Sequence, residues 1–263
     1  MIEEFNYFLL GLVQGLAEFF PISSSGHILI LSTILDVAKK NPLLLSITVH
    51  FATTLSTIVI YNNKLKNILI GVIKHKDYVA ISYLLKILIS SIPVLIVGLF
   101  FKDYVESLFN NSMLLVLIML FITGCVLIST TVASIGDKRI SYYYAFLIGL
   151  AQAIAILPGI SRSGATISTA VLLGIEKTKA AKFSFLMVIP LIFGKIIKDI
   201  FSGQLTFESH QFPILITGFT AAFLSGLFAC TCMMHIVKNS KLKYFAIYCS
   251  LVGLFSVIYS LTK

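Results

Sequence analysis

Charge is what this chain has least of. Only 12% of its 263 residues are Asp, Glu, Lys or Arg, about half the share usual in a soluble domain. With 58% hydrophobic residues, that shortage excludes an ordinary soluble domain and identifies an integral membrane protein. Long polar connections are missing too. The longest, Asn62 to Val79, is itself interrupted by Ile68, Leu69 and Ile70, which leaves no room for a separate soluble unit. The alternating segments of about ten residues that mark a β-barrel are absent. Cys125, Cys230, Cys232 and Cys249 all sit inside hydrophobic stretches without CxxC spacing, so neither zinc nor a disulfide framework is expected. The N-terminal MIEEFNYF carries Glu3 and Glu4 where a cleaved signal peptide would be basic. The first helix is therefore expected to stay in the mature protein.

Acids are scarcer than bases, 11 against 20, for a formal net charge of +9. Such an excess can mark nucleic-acid binding, but these lysines flank hydrophobic spans and are not interleaved with aromatic residues. They read as a topology signal, with no nucleic acid as partner.

What the chain does have is apolar runs near the ~20 residues needed to cross a bilayer. They lie at 41–62, 80–101, 113–134, 180–202, 212–237 and 243–262. Two further hydrophobic segments are broken in the middle and repeat one another. GLVQGLAEFFPISSSGH (Gly11 to His27) returns as GLAQAIAILPGISRSGA (Gly149 to Ala165), with the Gly, Leu, Gln, Ser-x-Ser pair and following Gly in register and the proline shifted by one. Each break separates half-length helices, at 5–20 and 25–36 and then at 142–157 and 163–175. Neither half can span alone. Each copy then makes a hairpin that enters and leaves on one side, allowed at membrane depth only where protein or water covers the broken backbone. A single kinked span per copy is the plain alternative.

Three spans after each hairpin would start the second copy from the opposite face, giving inverted repeats whose breaks meet near the midplane. The fold class expected is thus an all-α integral membrane protein: six transmembrane helices plus two re-entrant helical hairpins in an inverted-topology repeat. It forms one domain, 1–263, made of repeat 1 (1–134) and repeat 2 (135–263). Six bases, Lys39, Lys40, Lys102, Lys195, Lys198 and Lys263, fall on the side of the termini, against thirteen on the other. By the positive-inside rule both termini, and the mouth of the first hairpin, lie outside the cytoplasm.

Two charges remain at membrane depth, Glu18 in the first break and Arg162 in the second. Each costs about 2.5 to 3.5 kcal/mol to bury there, so they default to function or to pairing with each other. Gln14 stands four residues before Glu18 and shares its helix face, while Gly11 and Gly15 permit close approach of a neighbour. A Gln and a carboxylate facing a cavity suit a hard, partly hydrated divalent cation such as Mg2+ or Ca2+. An intramembrane polar pair bonded to another helix is the alternative for Gln14. After Pro21, the residues Ser23, Ser24, Ser25 and Gly26 open a new half-helix, whose free N–H groups and positive dipole end suit phosphate. Ser161, Arg162, Ser163 and Gly164 repeat that arrangement with a guanidinium added, the group best shaped for bidentate phosphate contact. Two positive helix ends and an arginine imply a ligand with more than one anionic group, which a diphosphate satisfies. His27, three residues after Ser24, is a candidate general base, acid or nucleophile. Thr166 offers a hydroxyl to the anion, or else bonds back to its own helix. His50, His75, His210 and His235 are read as structural.

QGLAEFFPISSSGH and LPGISRSGAT resemble the two signature motifs of the undecaprenyl diphosphate phosphatase family, the bacitracin-resistance proteins of bacterial membranes. The resemblance extends through KFSFLMVIP (Lys182 to Pro190) and FAIYC (Phe245 to Cys249) over essentially the whole chain. It implies hydrolysis of the polyprenyl lipid undecaprenyl diphosphate to undecaprenyl phosphate, recycling the carrier for peptidoglycan and other envelope polymers, at an extracytoplasmic site that needs a divalent cation. Position by position, it puts the family's glutamate-rich motif on Gln14 and Glu18, its serine-histidine motif on Ser24 and His27, and its arginine motif on Ser161, Arg162, Ser163 and Thr166. Gln14 stands where many relatives carry a second glutamate. The mechanism implied has Arg162 and the helix starts holding the diphosphate, and Ser24 or a water near His27 attacking the terminal phosphorus. Two other classes compete. A transporter of a phosphorylated lipid shares the inverted-repeat plan, but has no need of His27 beside Ser24. A scaffold gives no reason for charge at both breaks. Besides membrane lipid, a second copy of the chain, as a homodimer, is an assembly the sequence allows.

Overall fold

The computed structural model describes residues 2–35, 42–101, 104, 107, 113–133, 136–201, 211–239 and 241–261. Among them the chain forms eleven helices: α1 (Ile2–Phe19), α2 (Ser24–Ile34), α3 (Pro42–Ile60), α4 (Asn62–Ile73), α5 (Tyr78–Phe100), α6 (Met113–Ser129), α7 (Tyr142–Ile154), α8 (Arg162–Leu172), α9 (Lys177–Phe201), α10 (Phe212–Lys238) and α11 (Lys243–Leu261). The one β-type pairing among these residues is an isolated parallel bridge between Lys138 and Ile175.

Three helices, α5, α9 and α10, are long and apolar enough to cross a membrane singly. A fourth crossing is available from Leu44–Ile60 and Asn62–Ile73, which meet at a bend of 76°. Shorter apolar helices accompany them at Ser24–Ile34, Met113–Ser129, Tyr142–Ile154 and Lys243–Leu254. The protein is a multi-pass, all-helical membrane protein. One expectation is revised: the connection from Asn62 to Val79 is mostly helix, because Leu65, Ile68, Leu69 and Ile70 carry α4 through it, and Ile68 is buried. Lys39, Lys40, Lys102 and Lys263, on which the expected orientation partly rests, lie outside the described residues, as do His210 and the expected repeat boundary at 134 and 135.

Both predicted breaks are present. α1 stops at Phe19 and α2 starts at Ser24; α7 stops at Ile154 and α8 starts at Arg162. Small residues set the helix packing. A Cβ on Gly11 would come within 2.2 Å of the Gly218 carbonyl oxygen, and one on Gly15 within 2.0 Å of Ser225 Oγ. That is why α1 can lie directly along α10. The corresponding glycine of the second segment, Gly149, approaches the Ser90 carbonyl in the same way, at 2.4 Å, seating α7 on α5. Between these pairs runs a core containing Phe19, Ile148, Ile167, Phe183, Phe185 and Met233. Phe19 meets Phe185 edge to face, with centroids 5.4 Å apart. This aromatic contact backs the end of α1 that carries Glu18, so the carboxylate stands on a rigid wall.

Candidate active site

Each break is closed by a serine that caps the helix after it. Ser23 Oγ accepts from the Gly26 amide at 3.3 Å, and Ser161 Oγ accepts from the Gly164 amide at 3.1 Å. Ser23 has φ 69°, a left-handed conformation that a residue with a Cβ rarely adopts. The strain turns the chain sharply enough to begin α2 two residues after Ile22. In the second break Gly159 takes the equivalent turn at φ 94°, where a Cβ would strike the Val116 carbonyl oxygen at 2.2 Å.

The two breaks are in contact with each other. The Gly159 amide donates to Ser25 Oγ at 3.4 Å, and Ser163 Oγ donates to the Phe20 carbonyl at 3.4 Å. Each is also pinned by a helix from the other half of the chain. Thr123 of α6 donates to the Gly159 carbonyl at 3.2 Å and accepts from the Ser161 amide at 3.0 Å. Cys249 of α11 points its thiol at the Pro21 carbonyl at 3.6 Å.

At this junction Glu18 is 7% exposed, with both carboxylate oxygens engaged. Arg162 Nη2 donates to Oε1 at 2.7 Å. Gln14 Nε2 donates to Oε2 at 2.8 Å, and Ser24 Oγ donates to the same oxygen at 2.9 Å. The guanidinium is itself half satisfied, since among the described residues buried Nη1 finds no hydrogen-bond partner. Beside the pair lies a narrow cleft, walled by Thr53, Thr54 and Thr57 of α3 and by Phe185, Val188 and Ile192 of α9. A guanidinium with an unspent donor, next to two helix N-termini, has the chemistry suited to an anion.

Glu18, Gln14, Ser24 and Arg162 thus form one cluster. His27 lies at its edge with both ring nitrogens occupied: Nδ1 is 2.9 Å from the Ser23 carbonyl and Nε2 is 2.8 Å from Tyr248 Oη. The acceptor on the Ser24 hydroxyl is Glu18 and not the imidazole. Ser23, Ser25, Gly26, Ser161, Ser163 and Gly164 form the two helix starts. Ser161 and Ser163 are buried and share a contact of 3.3 Å between their hydroxyls. Thr166 follows the second of its expected options: fully buried, it donates to the Arg162 carbonyl at 2.9 Å and bonds Ser184 Oγ at 2.6 Å. It therefore braces α8 against α9. Gln152, in register with Gln14, is buried with neither amide atom hydrogen-bonded.

Thr123 and Tyr248 are contributors not read from sequence, and His50, expected to be structural only, stands against the cluster. His50 Nδ1 lies 3.1 Å from Gln14 Nε2 and 3.7 Å from Glu18 Oε2. Its signal was available, a histidine in the middle of an apolar span. Thr123 and Tyr248 gave none, being ordinary residues of membrane helices until the fold brings them to the breaks.

Among the described residues no three His, Cys, Asp or Glu side chains come together. A divalent cation would find the Glu18 carboxylate and the Gln14 amide, a sparse oxygen set. That fits an ion which keeps its waters and takes its remaining ligands from substrate phosphates.

The chain is similar to known proteins over nearly its whole length. The chain matches the family described as Bacitracin resistance protein BacA over residues 7–255. It is 52% identical over 261 residues to an undecaprenyl-diphosphatase of Christiangramia forsetii, covering 98% of this chain and 99% of that protein. An undecaprenyl-diphosphatase of Bacteroides fragilis is 46% identical over 263 residues, covering 98% and 99%. One from Methanococcus vannielii is 39% identical over 254 residues, covering 95% and 98%.

Proposed function

The chain belongs to the bacitracin resistance protein BacA family, and from that premise we propose that it hydrolyses undecaprenyl diphosphate to undecaprenyl phosphate and inorganic phosphate. It is a membrane phosphatase that returns the lipid carrier to peptidoglycan and envelope polymer synthesis and confers bacitracin resistance. The observation that carries this reading is the cluster itself: Arg162 at the start of α8, 2.7 Å from Glu18, with the Ser24 hydroxyl on the same carboxylate. A transporter needs the guanidinium but not a hydroxyl held on a carboxylate.

In the mechanism this suggests, Arg162 turns from Glu18 toward the diphosphate, adding its free Nη1 to the amides of the two helix starts. Ser24 Oγ attacks the terminal phosphorus, and its proton passes to Glu18 Oε2, which already accepts that hydrogen bond. The bond from phosphorus to the bridging oxygen breaks, and its electron pair leaves with undecaprenyl phosphate. Water then attacks the phosphoserine, releasing inorganic phosphate and restoring the hydroxyl. A divalent cation held by Glu18 and Gln14 would supply further neutralisation of phosphate charge. Donors aimed at the transferring phosphoryl provide most of the acceleration in such reactions. His27, fixed between Ser23 and Tyr248, holds the first turn of α2 in place.

The finer architecture belongs to the same proposal: six spans, two re-entrant hairpins in inverted repeats, and termini and site on the extracytoplasmic side. Support for the repeats comes from the exchange of partners, since α1 lies on α10 as α7 lies on α5, and α3 packs on α10 as α9 packs on α5. The orientation rests on the basic residues, and a reporter fused to the C-terminus tests it. For the activity, purified protein in detergent is given undecaprenyl diphosphate with and without EDTA. Phosphate release that EDTA abolishes is expected; lipid movement without any release would make the protein a transporter. Rapid-quench labelling then compares wild type with Ser24→Ala. A phosphoserine in the first and none in the second is expected, and no trapped phosphoenzyme in single turnover removes the covalent step.

A further inference from the structure

His50 is left without a task by this mechanism, yet it touches both residues assigned to the cation. It enters from α3, on a different element from Gln14 and Glu18, with its side chain 30% exposed. Three donor-bearing groups face one another: Gln14 to Glu18 at 2.8 Å, Gln14 to His50 at 3.1 Å and His50 to Glu18 at 3.7 Å. Ligand atoms bound at about 2.1 Å around one ion sit about 3.0 to 3.4 Å apart, depending on coordination geometry. To match, the triangle needs a closure of about 0.3 Å on its longest edge and an opening of about 0.2 Å on its shortest.

We propose that His50 is a nitrogen ligand of the divalent cation, completing with Glu18 Oε2 and Gln14 Oε1 a mixed nitrogen and oxygen site that favours ions accepting imidazole over calcium. The inference rests on the phosphatase reading and its cation.

The arrangement of the Gln14 amide supports it. Its NH2 group stands between the Glu18 carboxylate and Nδ1 of the His50 ring, donating to one and within hydrogen-bond reach of the other. Two acceptors converging on one position make the environment a cation would use. Rotating the amide by half a turn about its terminal torsion brings Oε1 into that position, so all three groups then present lone pairs. Arg162 occupies Oε1 of Glu18 and Ser24 donates to Oε2, so the ion takes the lone pair of Oε2 that the rotated Gln14 amide gives up. Calcium wants six to eight oxygen ligands at about 2.3 to 2.6 Å in a roomy shell, whereas this pocket supplies few oxygens and an imidazole. Imidazole is a good ligand for first-row transition ions and zinc. The remaining positions fall to water and to the substrate's phosphate oxygens.

The test uses manganese(II) alone, because its electron-spin-echo spectrum reports a directly coordinated nitrogen. Purified wild-type protein, His50→Ala and His50→Gln are titrated with manganese(II), and calcium is used as competitor. Thermal unfolding shows which variants remain folded, and His50→Gln carries the test if His50→Ala does not. In wild type, nitrogen modulation and weak competition by calcium are expected. His50→Ala should lose the modulation and weaken manganese(II) binding about tenfold or more. His50→Gln, which offers an oxygen, should lose the modulation and let calcium compete better. Manganese(II) bound by wild type without nitrogen modulation, or with modulation that persists in both variants, overturns the assignment. Phosphate release measured on the same samples separates the two levels: release without modulation overturns the ligand and keeps the phosphatase, while modulation without release keeps the ligand and overturns the phosphatase.

Discussion

Removing Arg162 strips Glu18 of the guanidinium that pairs with it at 2.7 Å. The carboxylate is 7% exposed and would keep two neutral donors, Gln14 and Ser24, at 2.8 and 2.9 Å. Breaking a buried pair from one side costs about 3 to 5 kcal/mol. The guanidinium side chain is itself 20% exposed, which puts the expected loss for Arg162→Ala at about 3 kcal/mol. Glu18→Gln leaves the arginine buried with its amide neighbour and should cost less. In the double variant no charge is left unpaired, so its stability should recover by about 1 to 3 kcal/mol relative to the sum of the singles, the range typical of coupled neighbours. Catalysis follows a different pattern. Loss of a donor that stabilises developing charge costs about 10²- to 10³-fold, and the double variant should stay as inactive as Arg162→Ala. Thermal unfolding in detergent read beside phosphate release from undecaprenyl diphosphate separates the two effects. Strict additivity of the stability losses, or Arg162→Ala within tenfold of the wild-type rate, would refute the argument that the pair is both a structural and a catalytic unit.

Two other outcomes follow from the contacts around the breaks. Gly15→Leu should lower the unfolding temperature sharply and abolish activity, because even a Cβ at that position meets Ser225 Oγ at 2.0 Å and the Ala222 carbonyl at 2.5 Å; a folded, active variant would mean that α1 and α10 can part freely. Tyr248→Phe removes one hydrogen bond from His27 Nε2 while keeping the ring stacking at 5.7 Å. A bond worth about 0.5 to 1.5 kcal/mol translates into a fall of no more than a few degrees in unfolding temperature and a loss of up to about tenfold in kcat, and a wild-type kcat would remove Tyr248 from any role in positioning His27.

Glu18 and Arg162 were legible because ionisable groups at membrane depth are expensive, and their place beside matching breaks implied that they meet. The half-helices were legible because Pro21, Gly159 and the serines interrupt apolar runs too short to span. Other features depended on long-range packing. The course of α4 was hidden because Asn62, Lys64, Lys66 and Asn67 outweigh Leu65 and Ile68 in a reading by polarity, although the apolar positions decide the helix. Ser24 and His27 share a helix face, so their pairing was a fair local inference; Glu18, six residues upstream, takes the hydroxyl instead because the Ser23 turn folds α2 back over the end of α1. The orientation of His27 depends on Tyr248, and that of Gln14 on His50, neither of which any local pattern links to the break. Thr166 had two acceptable partners within reach, and the position of Ser184 on α9 chose between them.

The crossed anchoring of the breaks has a consequence for how the protein is made. Pro21 waits for Cys249 on the final helix, and Glu18 waits for a guanidinium synthesised 144 residues later. Through much of translation the first broken segment therefore has its acid without the guanidinium and its turn without the thiol. A chain stopped before Arg162 carries the acid without its partner, and one stopped before Cys249 carries the turn without its tether.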